Sequence, residues 1–216
     1  MKQIFYDANR NKIIYNLPST QFNAGSNGTI YKLKDETCLK LFYPYRGTYP
    51  NRIFKFIIDL KLPNFYEVYQ LLYNYNHEFI GYTMKYYQKE DIDILTMPTK
   101  YSLDNYQKIY KSATILNHYN ISIQELIPIN VILTEKDIIV IDIDEYKKDN
   151  ITLNYRSVNG LFEKLYLYAS FKHNISNAVD IMDNLFDEKD NFQTLSKKLS
   201  KYKYPIDYIN NQRRFK

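Results

Sequence analysis

The sequence predicts an α+β fold, with short antiparallel strands and one helix through residue 87 and a mainly helical remainder. Three observations predict it. Before residue 87, apolar runs such as Ile4–Phe5–Tyr6 and Lys12–Ile13–Ile14–Tyr15 flank turn-forming clusters such as 7–11. In the same region a single stretch, 52–62, places Ile53, Phe56, Ile57 and Leu60 at helical spacing. Beyond it, 102–119 reads as a long helix that leads into an apolar hairpin, 131–141, with further helical stretches after it. Strands first and helices after is the order of an α+β domain. A chain of 216 residues suits one domain or two small lobes around one cleft, and its 45% hydrophobic fraction is ample for a packed core.

Taken in order, the 4–6 and 12–15 hairpin ends at Leu17–Pro18, a break in the pattern. Residues 22–33 follow, with Gly25 and Gly28 between apolar runs, and after a turn at Asp35–Glu36 comes a strand over 37–42 that carries Lys40. Glycines so placed let backbone amides approach a phosphate with no side chain in the way, although a plain β-turn is the commoner explanation of such a pair. The 52–62 helix is stopped by Pro63–Asn64. Residues 65–73 and 79–87 read as two further strands around an Asn-rich turn at 74–76. A linker with Pro98 precedes the long helix, where Ser102 is the expected cap and Tyr106, Ile109, Tyr110, Ala113, Leu116 and Tyr119 follow the helical period.

The stretch 121–146 organises the rest. Its loop carries Glu125 and Asn130. The hairpin then runs through 131–133, turns at Glu135–Lys136–Asp137, and returns over 138–141 to end on Asp142 and Asp144. An amide at the entrance and a carboxylate at the exit can hold a divalent ion through oxygen, and such an ion bridges phosphates. After Tyr146 a short polar stretch precedes helices expected over 158–171, 178–186 and 192–202, a turn at Pro205 and a basic tail over 212–216.

Composition narrows the function classes. The net charge of +5 does not by itself argue for nucleic-acid binding. The lysines of 197–203 and the basic tail read as a solvated face, and no named nucleic-acid motif is present. One cysteine, Cys38, excludes an internal disulfide and a multi-cysteine zinc site. His77, His118 and His173 are too dispersed to form a metal motif. No apolar signal core and no membrane-length apolar run is present, so the cytoplasm is the expected compartment.

Several of these residues also fall in a known order. Gly25 and Gly28, with Ala24 before them and Ile30 after, resemble the end of a G-x-G-x-x-G-x-V loop; Lys40 fits the strand lysine of V-A-I-K. Glu125 and Asn130 have the spacing of D-x-x-x-x-N, and Asp142 falls at the Asp of D-F-G, in an I-D-I-D ending. In this order the motifs resemble the protein-kinase-like family, in a divergent form similar to bacterial and phage-type members. The bias toward Tyr, Asn, Ile and Lys, with 24 Tyr and no Trp, fits AT-rich codons of a low-GC bacterium or its phage.

The resemblance implies a bilobal fold. Residues 1–87 would be an N-lobe with an antiparallel sheet and one helix, and 88–216 a trimmed, mainly helical C-lobe. It implies ATP and Mg2+ as cofactors. Lys40, with Gly25, Ser26, Asn27, Gly28 and Ile30, would meet the nucleotide phosphates, and Met84 and Tyr86 of a hinge over 84–87 the adenine. Asn130 and Asp142 would hold magnesium, and Glu125, where the family has Asp, would be the base. The sequence departs from the family further: Ile123 and Gln124 replace the His-Arg pair, A-P-E is absent, and no Glu lies between Lys40 and Glu67, so that Asp59 is the only acid in the small-lobe helix. Two functions follow: transfer of the ATP γ-phosphate to a protein Ser/Thr hydroxyl, or a weak or inactive pseudokinase acting as a nucleotide-dependent scaffold for a protein partner. A small-molecule kinase ranks below both, because the short Lys-rich C-terminal region offers little acidic pocket.

Overall fold

The protein is described by a computed structural model, over residues 2–25, 27–34, 36–44, 51–143, 146–149, 154–186 and 191–213. The chain forms two compact units. Met1–Lys61 and Tyr66–Tyr87 make the first, and Leu62–Phe65 and Gln88–Lys216 the second. No helix among the described residues is long and apolar enough to cross a membrane.

The first unit is an antiparallel sheet with one helix. Its strands are β1 (Lys2–Tyr6), β2 (Lys12–Asn16), β3 (Asn23–Ala24), β4 (Gly28–Lys32), β5 (Thr37–Phe42), β6 (Val68–Tyr73) and β7 (Phe79–Lys85), and its helix is α1 (Asn51–Asp59). The sheet order is β2-β1-β6-β7-β5-β4-β3. Side chains alternate across a strand, so Leu39 and Lys40 of β5 serve opposite faces. On the Leu39 face, Leu39 and Leu72 pack with Phe5 and Leu17, which the N-terminal hairpin brings in. On the Lys40 face α1 buries Phe54 and Ile57, and the Phe54 ring lies 4.7 Å from that of Tyr82. The centre of the sheet, around β5 and β7, is thus buried on both sides.

The second unit is mainly helical. It holds α2 (Thr99–His118), β8 (Ile121–Ser122), a 3-10 turn (Pro128–Asn130), β9 (Val131–Leu133), β10 (Ile138–Val140) and β11 (Lys147–Lys148). Four helices complete it: α3 (Asn154–Lys172), α4 (Ala178–Phe186), α5 (Asn191–Leu199) and α6 (Pro205–Arg213). The Tyr106 ring of α2 meets Phe162 of α3 edge-on at 4.7 Å, and Ser102 Oγ shares a 2.8 Å hydrogen bond with the Tyr166 hydroxyl.

Several element ends differ from the sequence expectation. α2 begins at Thr99 after Pro98, so Ser102 is a buried contact to α3 and not a cap. α1 stops at Asp59, because Lys61 and Asn64 take left-handed φ values of 47° and 61° and the chain turns into the 62–65 segment. Pro205 opens a helix, since proline lacks only a donor that the first turn does not use.

Candidate functional site

In the first unit the sequence places its candidate phosphate groups around β5. β4 and β5 pair so that Gly28 lies opposite Phe42 and Ile30 opposite Lys40, and on the other edge Lys40 lies opposite Tyr82 of β7. Lys40 is buried, its Nζ 6.0 Å from the centroid of the Phe42 ring. Two glycines grip its strand. A β-carbon at Gly28 would lie 2.2 Å from Leu41 O, and one at Gly81 2.1 Å from Lys40 O. Gly28 is therefore required by strand approach, a purpose separate from any phosphate. Gly25 differs, with nothing within 4 Å of its β-carbon position, and its N–H donates to Gly28 O at 3.0 Å. Asn27 is buried and its carbonyl accepts the Tyr43 N–H at 3.1 Å, while Ser26 lies outside the described residues.

Met84 sits within β7, opposite Cys38 on one side and Val68 on the other. Tyr86 follows the strand. Its N–H donates to Glu36 O at 2.7 Å, and its ring lies edge-on to Phe22 and 3.7 Å from Lys32 Nζ. The small-lobe helix turns aromatic residues toward the sheet. Phe54 packs on Tyr82 and Phe79, whereas Asp59 is exposed at the helix end and makes no ion pair among the described residues.

In the second unit the loop from Glu125 to Asp142 is a single hydrogen-bonded frame. Asn130 Nδ2 donates to Glu125 O at 2.9 Å, and the Ile141 N–H donates to Asn130 O at 2.9 Å. The first bond orients the Asn130 amide and leaves its oxygen as a possible cation ligand. The second fixes the strand end that leads into Asp142. Glu125 and Asp142 both take left-handed φ, 51° and 63°, a conformation that costs a non-glycine residue ~1–2 kcal/mol. Such strain persists only where the surroundings over-determine it. The Glu125 side chain is exposed and makes no ion pair among the described residues. Asp142 is half-buried beside Tyr146, whose phenol is held far above its ordinary range by burial and then by the Asp142 charge. Asp144 lies outside the described residues.

Two asparagines that the sequence did not single out hold this frame. Asn154, at the start of α3, accepts the Ile123 N–H at 2.8 Å through Oδ1 and donates to Ile121 O at 2.7 Å through Nδ2. It therefore secures the backbone just before Glu125. Asn105 of α2 is fully buried and makes every hydrogen bond an amide can. It donates to Tyr101 O and Lys136 O, both at 2.7 Å, and accepts from Ile138 N–H at 3.0 Å and from Asn64 Nδ2. Asn64 in turn donates to Ile138 O and accepts the Val140 N–H at 2.7 Å. One signal was in the sequence: Ser102, Asn105 and Ser112 are polar residues on the buried face of a periodic helix.

Between Glu125 and Asn130 the loop is apolar. Leu126 is buried, Ile127 is half-buried, and Ile129 is 79% exposed. Among the described residues no group of three or more His, Cys, Asp or Glu is placed to hold a metal, so an ion here would rest on Asn130, Asp142 and oxygens brought by its ligand.

No protein-family model matches the chain, and no curated protein matches it in sequence. Among solved structures it is similar to the kinase PK-1 of Cydia pomonella granulovirus, at 13% identity and a TM-score of 0.53, over 77% of this chain and 76% of that one. At that identity the likeness speaks to fold. The chain has a bilobal protein-kinase-like fold, with an antiparallel-sheet N-lobe carrying one helix and a trimmed, mainly helical C-lobe.

Proposed function

We propose that this chain binds ATP with magnesium and transfers the γ-phosphate to a serine or threonine hydroxyl of a protein. The observation that carries the proposal is the frame around Asn130. Asn130 Nδ2 donates to Glu125 O and the Ile141 N–H donates to Asn130 O, so the backbone leading into Asp142 is tied to the Asn130 loop, which supports an ion held by the Asn130 amide oxygen and the Asp142 carboxylate. Both are hard oxygen donors, and magnesium favours such donors while keeping few protein ligands. When bound, the ion would neutralise charge on the phosphates.

The chain's own groups take the other roles. Lys40 offers a positive charge from a buried strand, and the backbone over Gly25, Ser26, Asn27, Gly28 and Ile30 offers amides to phosphate oxygens. Met84 and the backbone near Tyr86 would meet the adenine through groups other than the Tyr86 N–H, which already donates to Glu36. Glu125, exposed and without an ion-pair partner among the described residues, would take the proton of the attacking hydroxyl. Its extra methylene relative to Asp shifts the carboxylate, and an ångström of misplacement costs ~100-fold in rate.

A second reading, a pseudokinase that serves a protein partner as a nucleotide-dependent scaffold, has a specific observation in its favour. α1 packs Phe54 on Tyr82, and its only acid, Asp59, makes no ion pair among the described residues. On either reading the protein acts in the cytoplasm, as a bacterial or phage-type member of its fold.

A thermal-melt titration with ATP, with and without magnesium, tests the shared part. A magnesium-dependent rise in melting temperature that Asp142→Asn and Lys40→Ala each weaken is the expected result, by mass-action stabilisation. Unchanged affinity in both variants would overturn the site. Transfer then separates the two readings. Glu125→Gln should abolish phosphoryl transfer and spare binding. Binding with no transfer by the wild type to any protein hydroxyl leaves the scaffold.

A further inference from the structure

The sheet of the first unit ends on two unlike edges. At one end β3 is only two residues long, a short strand of the kind that keeps an edge from pairing further. At the other end β2 offers five residues and pairs with β1 alone. The Asp7 N–H donates to Asn11 O at 3.0 Å, which sets the phase of the hairpin. Bonded and unbonded pairs alternate from there, so Phe5 with Ile13 and Gln3 with Tyr15 exchange hydrogen bonds. The N–H and C=O groups of Lys12, Ile14 and Asn16 therefore point away from β1, and they have no partner among the described residues. They form a row of donors and acceptors at the spacing of one more strand.

The surroundings of this edge add a second feature. A groove of about 590 Å³ runs past Ile14, Tyr15 and Asn16, with Lys34, Tyr69 and Gln70 among its other walls. Gln70 Oε1 accepts from the Tyr15 hydroxyl at 3.1 Å, and its Nε2 donates to nothing among the described residues. Ile13 and Tyr15 pack against the core of Phe5, Leu17, Leu39 and Leu72, so the edge is held ready for a partner. On the opposite face of the hairpin Ile4 and Ile14 are cross-strand neighbours, 51% and 53% exposed. Lys12 stands two residues from Ile14 on that face, exposed and without an ion pair among the described residues. Burial, and then the charges of Glu67 and Glu36, raise the Tyr69 phenol, so an acid of the partner would lie by Lys12 and not by Tyr69.

We infer that the β2 edge receives an extended acidic segment of a partner protein as an added antiparallel strand. Every pairing already in this sheet is antiparallel. The phase of the hairpin fixes the register. The partner residue opposite Ile14 exchanges two backbone hydrogen bonds with it, and an apolar side chain there extends the Ile4–Ile14 pair. Two residues later the segment stands opposite Lys12, where charge complementarity calls for Asp or Glu. A second copy of β2 in the same register would bring only the neutral Asn16 opposite Lys12, on a chain of the same net charge, +5. Main-chain bonds supply the affinity of such a strand, and its alternate side chains the specificity. None of these residues belongs to the proposed ATP and metal groups, so the two proposals stand or fall separately.

The test is an amide NMR titration of the full 15N-labelled chain with the blocked peptide Ser-Thr-Val-Val-Thr-Glu-Ser, whose second valine is set opposite Ile14 and whose glutamate is set opposite Lys12. The expected result is a saturable shift of the Lys12, Ile14 and Asn16 amides, with their hydrogen exchange slowed. Lysine in place of the peptide's glutamate should weaken binding severalfold, and Lys12→Gln should remove most of that difference. Ile14→Pro takes a donor from the outer edge and none from the β1 ladder, and should weaken binding about tenfold. The exposed Lys12→Gln reads the same edge if the proline variant does not fold. Amides of β2 that never saturate, or equal binding of the glutamate and lysine peptides, would overturn the inference. Shifts of the same amides on concentrating the chain alone would give the edge to a second copy and overturn it too.

Discussion

In the second unit, buried asparagines hold the loop that carries Glu125, Asn130 and Asp142. In the first unit, glycine contacts and aromatic rings hold the strand that carries Lys40. Asn105 alone connects α2 to both sides of the β9–β10 turn, through Lys136 O and Ile138 N–H, and to Asn64. β5 is instead gripped by backbone at Gly28 and Gly81 and faces a cluster of Phe42, Phe54, Phe79 and Tyr82. The two devices fail differently. A buried amide network loses several partners when one residue goes, because each orphaned group is left without water. An aromatic cluster degrades with volume and tolerates a change of shape.

The largest effect expected from this contrast is at Asn105. Asn105→Leu keeps the size but leaves Ile138 N–H and Lys136 O without this partner and removes one acceptor from the Asn64 amide, at about 4 kcal/mol in urea denaturation. A cost under ~1 kcal/mol would mean water replaces the amide, and the contrast would collapse. Next is the glycine pair. Gly28→Ala drives a methyl onto Leu41 O and should cost about 2 kcal/mol. Gly25→Ala meets open space and should stay within ~0.5 kcal/mol, so only a change in ATP affinity would show a nucleotide role for Gly25. Smaller than the Gly28 effect is Phe54→Leu, expected to cost about 1 kcal/mol because the remaining rings can repack. A loss above ~3 kcal/mol would place the aromatic cluster on a par with the amide network.

How far the sequence could be read follows the range of the interactions. The E-x-x-x-x-N spacing is local, and one hydrogen bond across five residues expresses it. The hairpin was legible from an apolar run, a charged turn and a second apolar run, which pair in register as Ile138 with Leu133 and Val140 with Val131. The early end of α1 was not legible, because it depends on distant partners: Val140 N–H and Ile138 O hold Asn64 from more than seventy residues away. Asn154 was invisible for another reason. In an Asn-rich chain nothing local separates the asparagine that grips Ile121 and Ile123 from those that sit in turns. The N-terminal hairpin was expected, but its second core was not, since Leu17 looked like a strand break and turned out to be buried beside Phe5 and Leu39.

Alkaline pH gives the gentlest probe, and it reaches both units. Burial raises the Tyr146 and Tyr166 phenols of the second unit far above the ordinary range, and the Ser102 hydrogen bond only partly offsets this for Tyr166. In the first unit burial pushes the Cys38 thiol up to about 11, against a smaller opposing pull from Lys32. Each group stays protonated in the folded chain at a pH where the unfolded chain has released its proton. The folded state then binds more protons, and stability must fall as pH rises. The contribution is complete below the unfolded values, near 9 for the thiol and 10 for the phenols, and is lost on going above them. The loss should be of order 1 kcal/mol per group near pH 10. Urea midpoints compared at about pH 8 and about pH 10.5 would show it as a decline. Cys38→Ala should flatten the part that begins near the thiol value, and Tyr146→Phe the part that begins higher. If both variants retain the full wild-type decline, the proton linkage lies elsewhere among the 24 tyrosines, and alkaline sensitivity belongs to composition rather than to these buried positions.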